Sequence, residues 1–119
     1  MSEPVQHPVF DMEIMRGADE TFTFIYTDDD GAVIALTDYT AKMQVRDRAG
    51  GKLFLTLTDT DGISISDAYG EVQVDFTHAQ TLAMDIVNAH YDLWIVSPGS
   101  VYTCIARGRF SILESVTEW

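Results

Sequence analysis

Two arginines, Arg107 and Arg109, stand two residues apart in a chain that carries 19 acidic and 7 basic residues. A guanidinium group presents five donors in a planar fork, which suits carboxylate and phosphate partners. The surrounding residues alternate between apolar and polar, so both side chains would lie on one face of a strand, with Gly108 on the other. We expect the pair to engage carboxylates on a neighbouring strand or on another subunit. The alternative interpretation is a solvated strand face.

The residue types that bind metals occur without the spacing that a metal site needs. The histidines are His7, His78 and His90, no two of which have zinc-site spacing, and a single cysteine cannot add a second thiolate. The acidic stretches Asp28–Gly31 and Asp59–Gly62 resemble fragments of calcium loops, but both lack the downstream glutamate. Because Asp-Gly pairs are common in turns, the sequence predicts neither a metal site nor a cofactor.

Catalysis by a nucleophilic side chain would need an activated serine or cysteine. The sequence has no Gly-x-Ser-x-Gly elbow, no phosphate-binding loop and no dinucleotide fingerprint. Cys104 stands in an apolar alternating run without a nearby group that would activate its thiol, so we expect a buried and unreactive residue. The sequence therefore predicts no catalytic residue and no enzymatic activity.

The candidate binding residues share one predicted strand face near the end of the chain. They are Trp94, Val96, Val101, Ile105, Arg107 and Arg109. Such a face is more apolar than a solvated sheet face, and Trp and Arg are enriched at the energetic centres of protein interfaces. Two interpretations stay open: another subunit covers this face, or a second sheet of the same chain does. A sugar-stacking platform built from Trp94 with Tyr91, Tyr102 and Trp119 is a third.

The elements that would position these side chains follow from the hydrophobic pattern. Apolar and polar residues alternate through eight short segments separated by turn signals, which predicts half-buried strands. The segments are VFDMEIM, TFTFIY, TAKMQVR, LFLTLT, ISI, EVQVDF, YDLWIV and VYTCIARGRFSIL. THAQTLAMDIV lacks alternation, and Thr77 three residues before Gln80 fits a capping box. We therefore predict one helix at about residues 77–87, with a distorted turn as the alternative.

The last segment fixes which residues should face the core. Strict alternation places the even-numbered residues from Tyr102 to Ile112 inward, Cys104 among them. The odd-numbered residues from Val101 to Arg109 would then face outward. On this pattern Ile105 shares the outward face with the two arginines.

Length and composition predict a single β domain over residues 1–119, with residues 1–8 as an extended arm. Short strands at regular spacing indicate a sandwich or a barrel. The formal charge of −12 opposes binding to nucleic acid, and the seven cations, distributed along the chain, predict no basic patch. No signal-peptide pattern and no stretch of about 20 apolar residues is present, so we expect assembly in the cytoplasm and no membrane partner.

Several motifs along the chain form a pattern that is similar to a known group of proteins. The first are the Arg16-Gly17 turn, the strand Phe22-Thr23-Phe24 and the run LTDYTAKMQVR at 36–46. Later come GEVQVDFTHAQTLAM at 70–84 and YDLWIVSPGSVYTCIARGRFSILESVT at 91–117. The pattern, over residues 14–117, resembles small β-domain proteins encoded among the tail genes of phages and prophages. It also resembles the N-terminal, immunoglobulin-like domain of baseplate upper proteins.

This resemblance implies an all-β fold, an immunoglobulin-like antiparallel β-sandwich of about seven to nine strands with one short helix near residues 77–87. It implies a structural virion component of a tail or baseplate, assembled in the bacterial host cytoplasm. The expected partners are other tail proteins and further copies of the chain. A carbohydrate-binding module, a head-decoration protein and a head–tail joining protein are the alternatives.

Overall fold

The computed structural model describes residues 9–85 and 88–119, so the predicted N-terminal arm lies outside the described residues. Eight strands, one α-helix and one 3-10 helix follow one another within these ranges. The strands are β1 Met12–Met15, β2 Glu20–Ile25, β3 Thr40–Arg46, β4 Leu53–Thr58, β5 Ile63–Ser66, β6 Glu71–Phe76, β7 Ala89–Val96 and β8 Tyr102–Leu113. The 3-10 helix Asp67–Tyr69 separates β5 from β6, and the α-helix α1, His78–Ala83, separates β6 from β7.

The strands form two sheets, one of five strands in the order β1-β8-β7-β3-β4 and one of three in the order β2-β6-β5. The β1–β8 pair is parallel, and the other strand pairs are antiparallel. When β2 to β8 are lettered B, C, C′, D, E, F and G, the sheets are B-E-D and G-F-C-C′, the strand arrangement of immunoglobulin domains. The predicted immunoglobulin-like β-sandwich is therefore confirmed, with a strand number inside the predicted range.

The core lies between the sheets and consists of the residues that alternation places inward. In β7, Tyr91, Leu93 and Ile95 are buried, and the residues between them point outward. Antibody domains place a disulfide between their sheets, whereas this chain has a single cysteine. Hydrophobic side chains from both sheets fill the interior instead, and 20 buried residues of the described ranges form one cluster.

Phenylalanine rings in edge-on or tilted contact form a series that crosses from one sheet to the other. The rings of Phe22 and Phe76 are 6.1 Å apart between centroids, and those of Phe76 and Phe110 are 5.4 Å apart. Phe10 lies 5.7 Å from both Phe22 and Phe24. Such aromatic pairs each contribute roughly 0.5–1.5 kcal/mol beyond the burial of their area, so this series stabilises the contact between β2 and the five-stranded sheet.

A β-bulge in β8 changes which residues of that strand face the core. Leu93 pairs with Ala106 while the next residue, Trp94, pairs with Cys104, so Ile105 is the extra residue. The prediction that even-numbered residues face inward is correct from Ala106 to the end of the strand. Before the bulge, the inward and outward sides are exchanged. Tyr102, predicted to face inward, is 69% exposed, and Cys104 shares the outward side with Trp94.

Ile105 is the predicted binding residue that the bulge displaces. It is 8% exposed and belongs to the buried core cluster. The prediction that Ile105 lies on the outward face is therefore wrong. The physical reason is that the bulge adds one residue opposite β7, which turns an odd-numbered side chain inward.

The helix is shorter than predicted. Its beginning agrees with the sequence, because the Thr77 side chain accepts from the Gln80 N–H while the Gln80 side chain accepts from the Thr77 N–H. The helix ends at Ala83, since Met84 has extended backbone angles. Residues 86 and 87, at the predicted end, lie outside the described residues.

Candidate interaction surface

The candidate binding residues of β7 and β8 share a surface with β3, which lies beside β7 in the sheet. We call the outward-pointing residues of β3, β7 and β8 the outer face. Four cross-strand rows make up most of it: Thr40–Val96–Tyr102, Lys42–Trp94–Cys104, Gln44–Asp92–Arg107 and Arg46–His90–Arg109. Directly opposed residues in such rows have Cβ atoms about 4.5–5.5 Å apart, so each row acts as a local cluster.

One end of the outer face is apolar. Trp94 is 39% exposed and Tyr102 is the diagonal neighbour of Trp94 on β8, while Val96 is partly buried. A cavity of about 250 Å³ lies there, lined by Lys42, Gln44, Asp92, Trp94, Val96 and Tyr102. Val101 is also exposed, in the loop just before β8. Of the six predicted residues, the structure thus exposes Trp94 and Val101 at this end, Val101 more than Trp94.

The other end of the outer face is basic. Arg46, His90 and Arg109 form one cross-strand row, and Arg107 belongs to the row beside it. Lys42 and Arg46 on β3, Arg107 and Arg109 on β8, and Arg48 in the turn after β3 are five of the seven cations of the chain. The interpretation that the cations form no patch is therefore wrong, because sheet pairing brings together residues that are far apart in sequence.

Two of these arginines, Arg46 in β3 and Arg48 in the turn after it, are held by nearby groups. The Arg46 Nε and Nη2 atoms donate to Gln44 Oε1 at 3.2 and 3.0 Å, and its Nη1 donates to the Gly51 carbonyl at 2.8 Å. Arg48 forms an ion pair with Asp47 at 3.2 Å. Both line a cavity of about 240 Å³ that His90 and Asp92 also line. These contacts fix the basic wall of the cavity in place.

The side chains of Arg107 and Arg109 are exposed. Within residues 9–85 and 88–119, the ion pairs are Arg48–Asp47 and Arg16–Asp85, so neither arginine of the pair engages a described carboxylate. Asp11 accepts a hydrogen bond from the backbone N–H of Arg109 at 2.9 Å, which leaves the guanidinium uninvolved. The expected contact to a neighbouring strand is thus absent from the described residues, and a contact to another subunit stays a prediction.

Cys104 is buried at the edge of this surface, although it lies on the outward side of β8. Burial raises the pKa of its thiol, and the negative charge of Asp92 raises it further. Its Sγ atom donates to the Ala106 carbonyl at 3.5 Å. The thiol is therefore held in its protonated, weakly nucleophilic form, as the sequence predicts for an unreactive cysteine.

Arg16, in the turn after β1, serves a different purpose. Its Nε donates to the Leu82 carbonyl at 2.9 Å, and its Nη2 pairs with Asp85 at 2.9 Å. The buried Thr81 hydroxyl accepts from the Gly17 N–H and donates to the Ala18 carbonyl, both at 2.9 Å. These bonds fasten α1 to the β1–β2 turn, so this arginine is a structural residue.

Sequence reasoning missed Lys42, Arg46 and His90 as members of the surface. Each has an ordinary outward position in an alternating strand, and only the pairing of β3 with β7 and of β7 with β8 brings them beside Arg109. Among the described residues no group of three or more metal-binding side chains comes together. Within 9–85 and 88–119, no helix has the length and apolar character needed to cross a membrane.

No protein-family model matches the chain, and no curated protein sequence matches it. Among solved structures, the extracellular domain of the voltage-gated sodium channel β4 subunit, seen as parallel homodimers and linked to cell–cell adhesion, is similar at 4% identity. That comparison covers 98% of this chain and 99% of the other, with a TM-score of 0.49. Drosophila OTK extracellular domains 3–5 are similar at 16% identity and a TM-score of 0.42, over 95% of this chain and 35% of theirs. This chain spans about a third of that second structure, and both likenesses concern the fold alone.

Proposed function

We propose that this chain is a structural component of a phage or prophage tail or baseplate, assembled in the host cytoplasm and acting through protein–protein contacts. The observation that carries the proposal is the outer face, where exposed aromatic side chains adjoin arginines that engage no described carboxylate. The sequence resemblance to tail-gene products over residues 14–117 supplies the biological setting. The partners are other tail proteins and further copies of this chain.

Burial of the outer face against a partner would be favourable for two physical reasons. Trp94 and Tyr102 would lose their remaining contact with water, and the free energy gained is about 25 cal/mol per Å² of apolar area. Arg107 and Arg109 would gain carboxylate partners. The attraction between such charges is stronger in a desolvated interface than in open solvent. Aromatic and arginine side chains in such a combination are typical of interface hot spots.

The test is incorporation into particles. Tail particles purified from a host that carries the gene should contain the wild-type chain. A Trp94→Ala/Tyr102→Ala variant should keep the melting temperature but lose most of its incorporation. Tyr69→Ala is the matched control, because Tyr69 is as exposed as Tyr102, at 69%, but lies in the 3-10 helix, outside the outer face. Absence of the wild-type chain from purified particles would rule the proposal out.

The cavity beside Trp94 favours carbohydrate binding as a second candidate function. Trp94 and Tyr102 supply aromatic surfaces for stacking, and Lys42, Gln44 and Asp92 supply donors and acceptors within the same cavity. In a Trp119→Phe background, Trp94 is the one remaining tryptophan, so its fluorescence reports directly on this cavity. A saturable change on titration with host cell-wall glycans, lost in Gln44→Ala/Asp92→Ala, would favour this function over the assembly role.

A further inference from the structure

The two sheets present surfaces of opposite charge. On the outer face, Asp92 is the one acidic residue at the outward positions of β3, β7 and β8, against Lys42, Arg46, Arg107 and Arg109. We call the outward-pointing residues of β2, β5 and β6 the back face. It consists of Thr21, Thr23, Ile25, Ser64, Ser66, Glu71, Gln73 and Asp75, and contains no lysine, arginine or histidine.

Asp75, one of the two acidic residues of the back face, is held by neutral partners. The Asp75 carboxylate accepts from the Thr21 hydroxyl at 2.7 Å and from the Gln73 amide at 3.2 Å. Neither Asp75 nor Glu71 forms an ion pair within the described residues. The back face therefore keeps its negative charge uncompensated, as the outer face keeps most of its positive charge.

We propose that the outer face of one copy docks on the back face of a second copy, so that the chain stacks head to tail. The inference rests on the proposed assembly function and names its partner surface. Arg107 and Arg109 would approach Glu71 and Asp75 of the neighbouring copy. The exposed Ile25 of the back face gives the apolar end of the outer face a counterpart.

Charge also opposes the symmetric contact in which two basic ends meet. If two outer faces paired around a two-fold axis running from the apolar to the basic end, the row Arg46–His90–Arg109 and its neighbour Arg107 would face their own counterparts or lie beside them. Like charges brought together at an interface oppose binding. A contact between two different surfaces avoids this repulsion, and because each copy keeps one free surface of each kind, such contacts generate rings or filaments.

The test uses charge reversal on each surface separately. Arg107→Glu/Arg109→Glu makes the outer face acidic, and Glu71→Lys/Asp75→Lys makes the back face basic. Asp29→Lys/Asp30→Lys is the matched control, because it changes the net charge by the same amount as the back-face variant at exposed positions in a loop. Mass in solution is measured by sedimentation over a range of protein concentrations in 20 mM and 500 mM salt, with melting temperatures recorded for each variant.

The wild-type chain and the loop control should form species larger than two copies in low salt and fall towards 13.3 kDa in high salt. Each face variant alone should stay at the monomer mass, because its association constant should be at least tenfold lower than that of the wild type. Mixed in equal amounts, the two face variants should associate again, because every outer–back contact in an alternating stack is then between opposite charges. Recovery on mixing shows that charge complementarity, and not a loss of folding, explains why each variant alone is monomeric.

Three results would overturn the inference. The first is a wild-type chain that stays monomeric in low salt, and the second is association that stops at two copies or survives in the back-face variant. The third is a monomeric chain retained on a polyphosphate matrix through Arg107 and Arg109, which would make an anionic polymer the partner. A chain that is monomeric yet present in purified particles contradicts head-to-tail stacking but not the assembly function. A chain that stacks in solution but is absent from particles contradicts the assembly function but not the stacking.

Discussion

At the scale of single residues, Gly108 is the position that most clearly requires a residue without a side chain. It pairs with Tyr91 on the core side of β8, and a Cβ atom there would collide with the Phe10 carbonyl oxygen and lie 2.8 Å from Asp11 Oδ1. Because the obstructing atoms include backbone, Gly108→Ala should lower the free energy of unfolding by about 1–3 kcal/mol. Gly99→Ala is the control, since its nearest neighbour is Ser97 Oγ at 3.8 Å. Equal urea midpoints for the two variants would contradict this prediction.

Tyr91 should make the fold sensitive to alkali. Its buried hydroxyl donates to the Phe10 carbonyl, and burial, with the charge of Asp11 as a second cause, raises the pKa of the phenol above its ordinary value. The unfolded chain loses this proton near pH 10 while the folded chain keeps it. The stabilisation is thus complete below about pH 10, and the free energy of unfolding then falls by about 1.4 kcal/mol per pH unit.

The matching variant is Tyr91→Phe. It should be about 1 kcal/mol less stable at pH 7, because the hydrogen bond to the Phe10 carbonyl is lost. Its stability should fall less steeply than that of the wild type between pH 10 and 11.5. Urea denaturation at several pH values measures both effects, and parallel slopes for the two proteins would mean that Tyr91 does not cause the alkaline loss.

At the scale of elements, Thr81 decides how α1 is attached. It is fully buried, and its hydroxyl satisfies the Gly17 N–H and the Ala18 carbonyl of the β1–β2 turn. Thr81→Val keeps the shape but leaves these groups unpaired, which should cost about 1–3 kcal/mol in the free energy of unfolding. Thr81→Ser keeps the hydroxyl and should be the less destabilised of the two. If thermal and urea denaturation rank them in the reverse order, packing of the methyl group holds the helix.

Alternation predicted most strands and their inward faces, because successive residues of a strand point to the buried and the exposed side in turn. Leu93 and Ile95 in β7 and Ala106 and Phe110 in β8 are buried as the pattern requires. It could not predict the bulge at Ile105, since the extra residue is defined only against β7. The helix start was visible in the capping box at Thr77, whereas its end depends on where α1 meets the β1–β2 turn.

At the scale of the whole molecule, the charge of −12 should make folding and association respond to salt in opposite directions. Repulsion among excess carboxylates destabilises the compact state, and screening relieves it. The melting temperature should therefore rise between 20 mM and 500 mM sodium chloride, while head-to-tail stacking weakens. Scanning calorimetry at a protein concentration too low for stacking measures the first effect. A melting temperature that falls with salt would mean that favourable ion pairs dominate the fold.

The sequence predicted the class of fold, a sandwich, but not the order of the strands in each sheet. Strand count and spacing indicate a sandwich, but the positions of β1 beside β8 and of β3 beside β7 depend on pairing between distant segments. For this reason the arginine pair could be placed on one face from sequence, while its neighbours Arg46 and His90 could not. The candidate surface was thus partly predictable: Trp94, Val96 and the arginine pair follow from alternation. Tyr102 and Ile105 change sides because of the bulge, and the β3 residues join the surface through topology.

The parallel pairing of β1 with β8 has a consequence for the chain while it is being made. The hydrogen bond from the Arg109 N–H to Asp11 spans 98 residues, and Met12 and Ile14 find their strand partners only in Phe110 and Ile112. A ribosome makes β1 well before β8, so the inward side of β1 must wait until the residues between them and β8 itself have been translated. Contacts of such long sequence separation also slow folding. Until β8 has emerged, the nascent chain exposes an unpaired apolar strand, which is the kind of segment that chaperones bind.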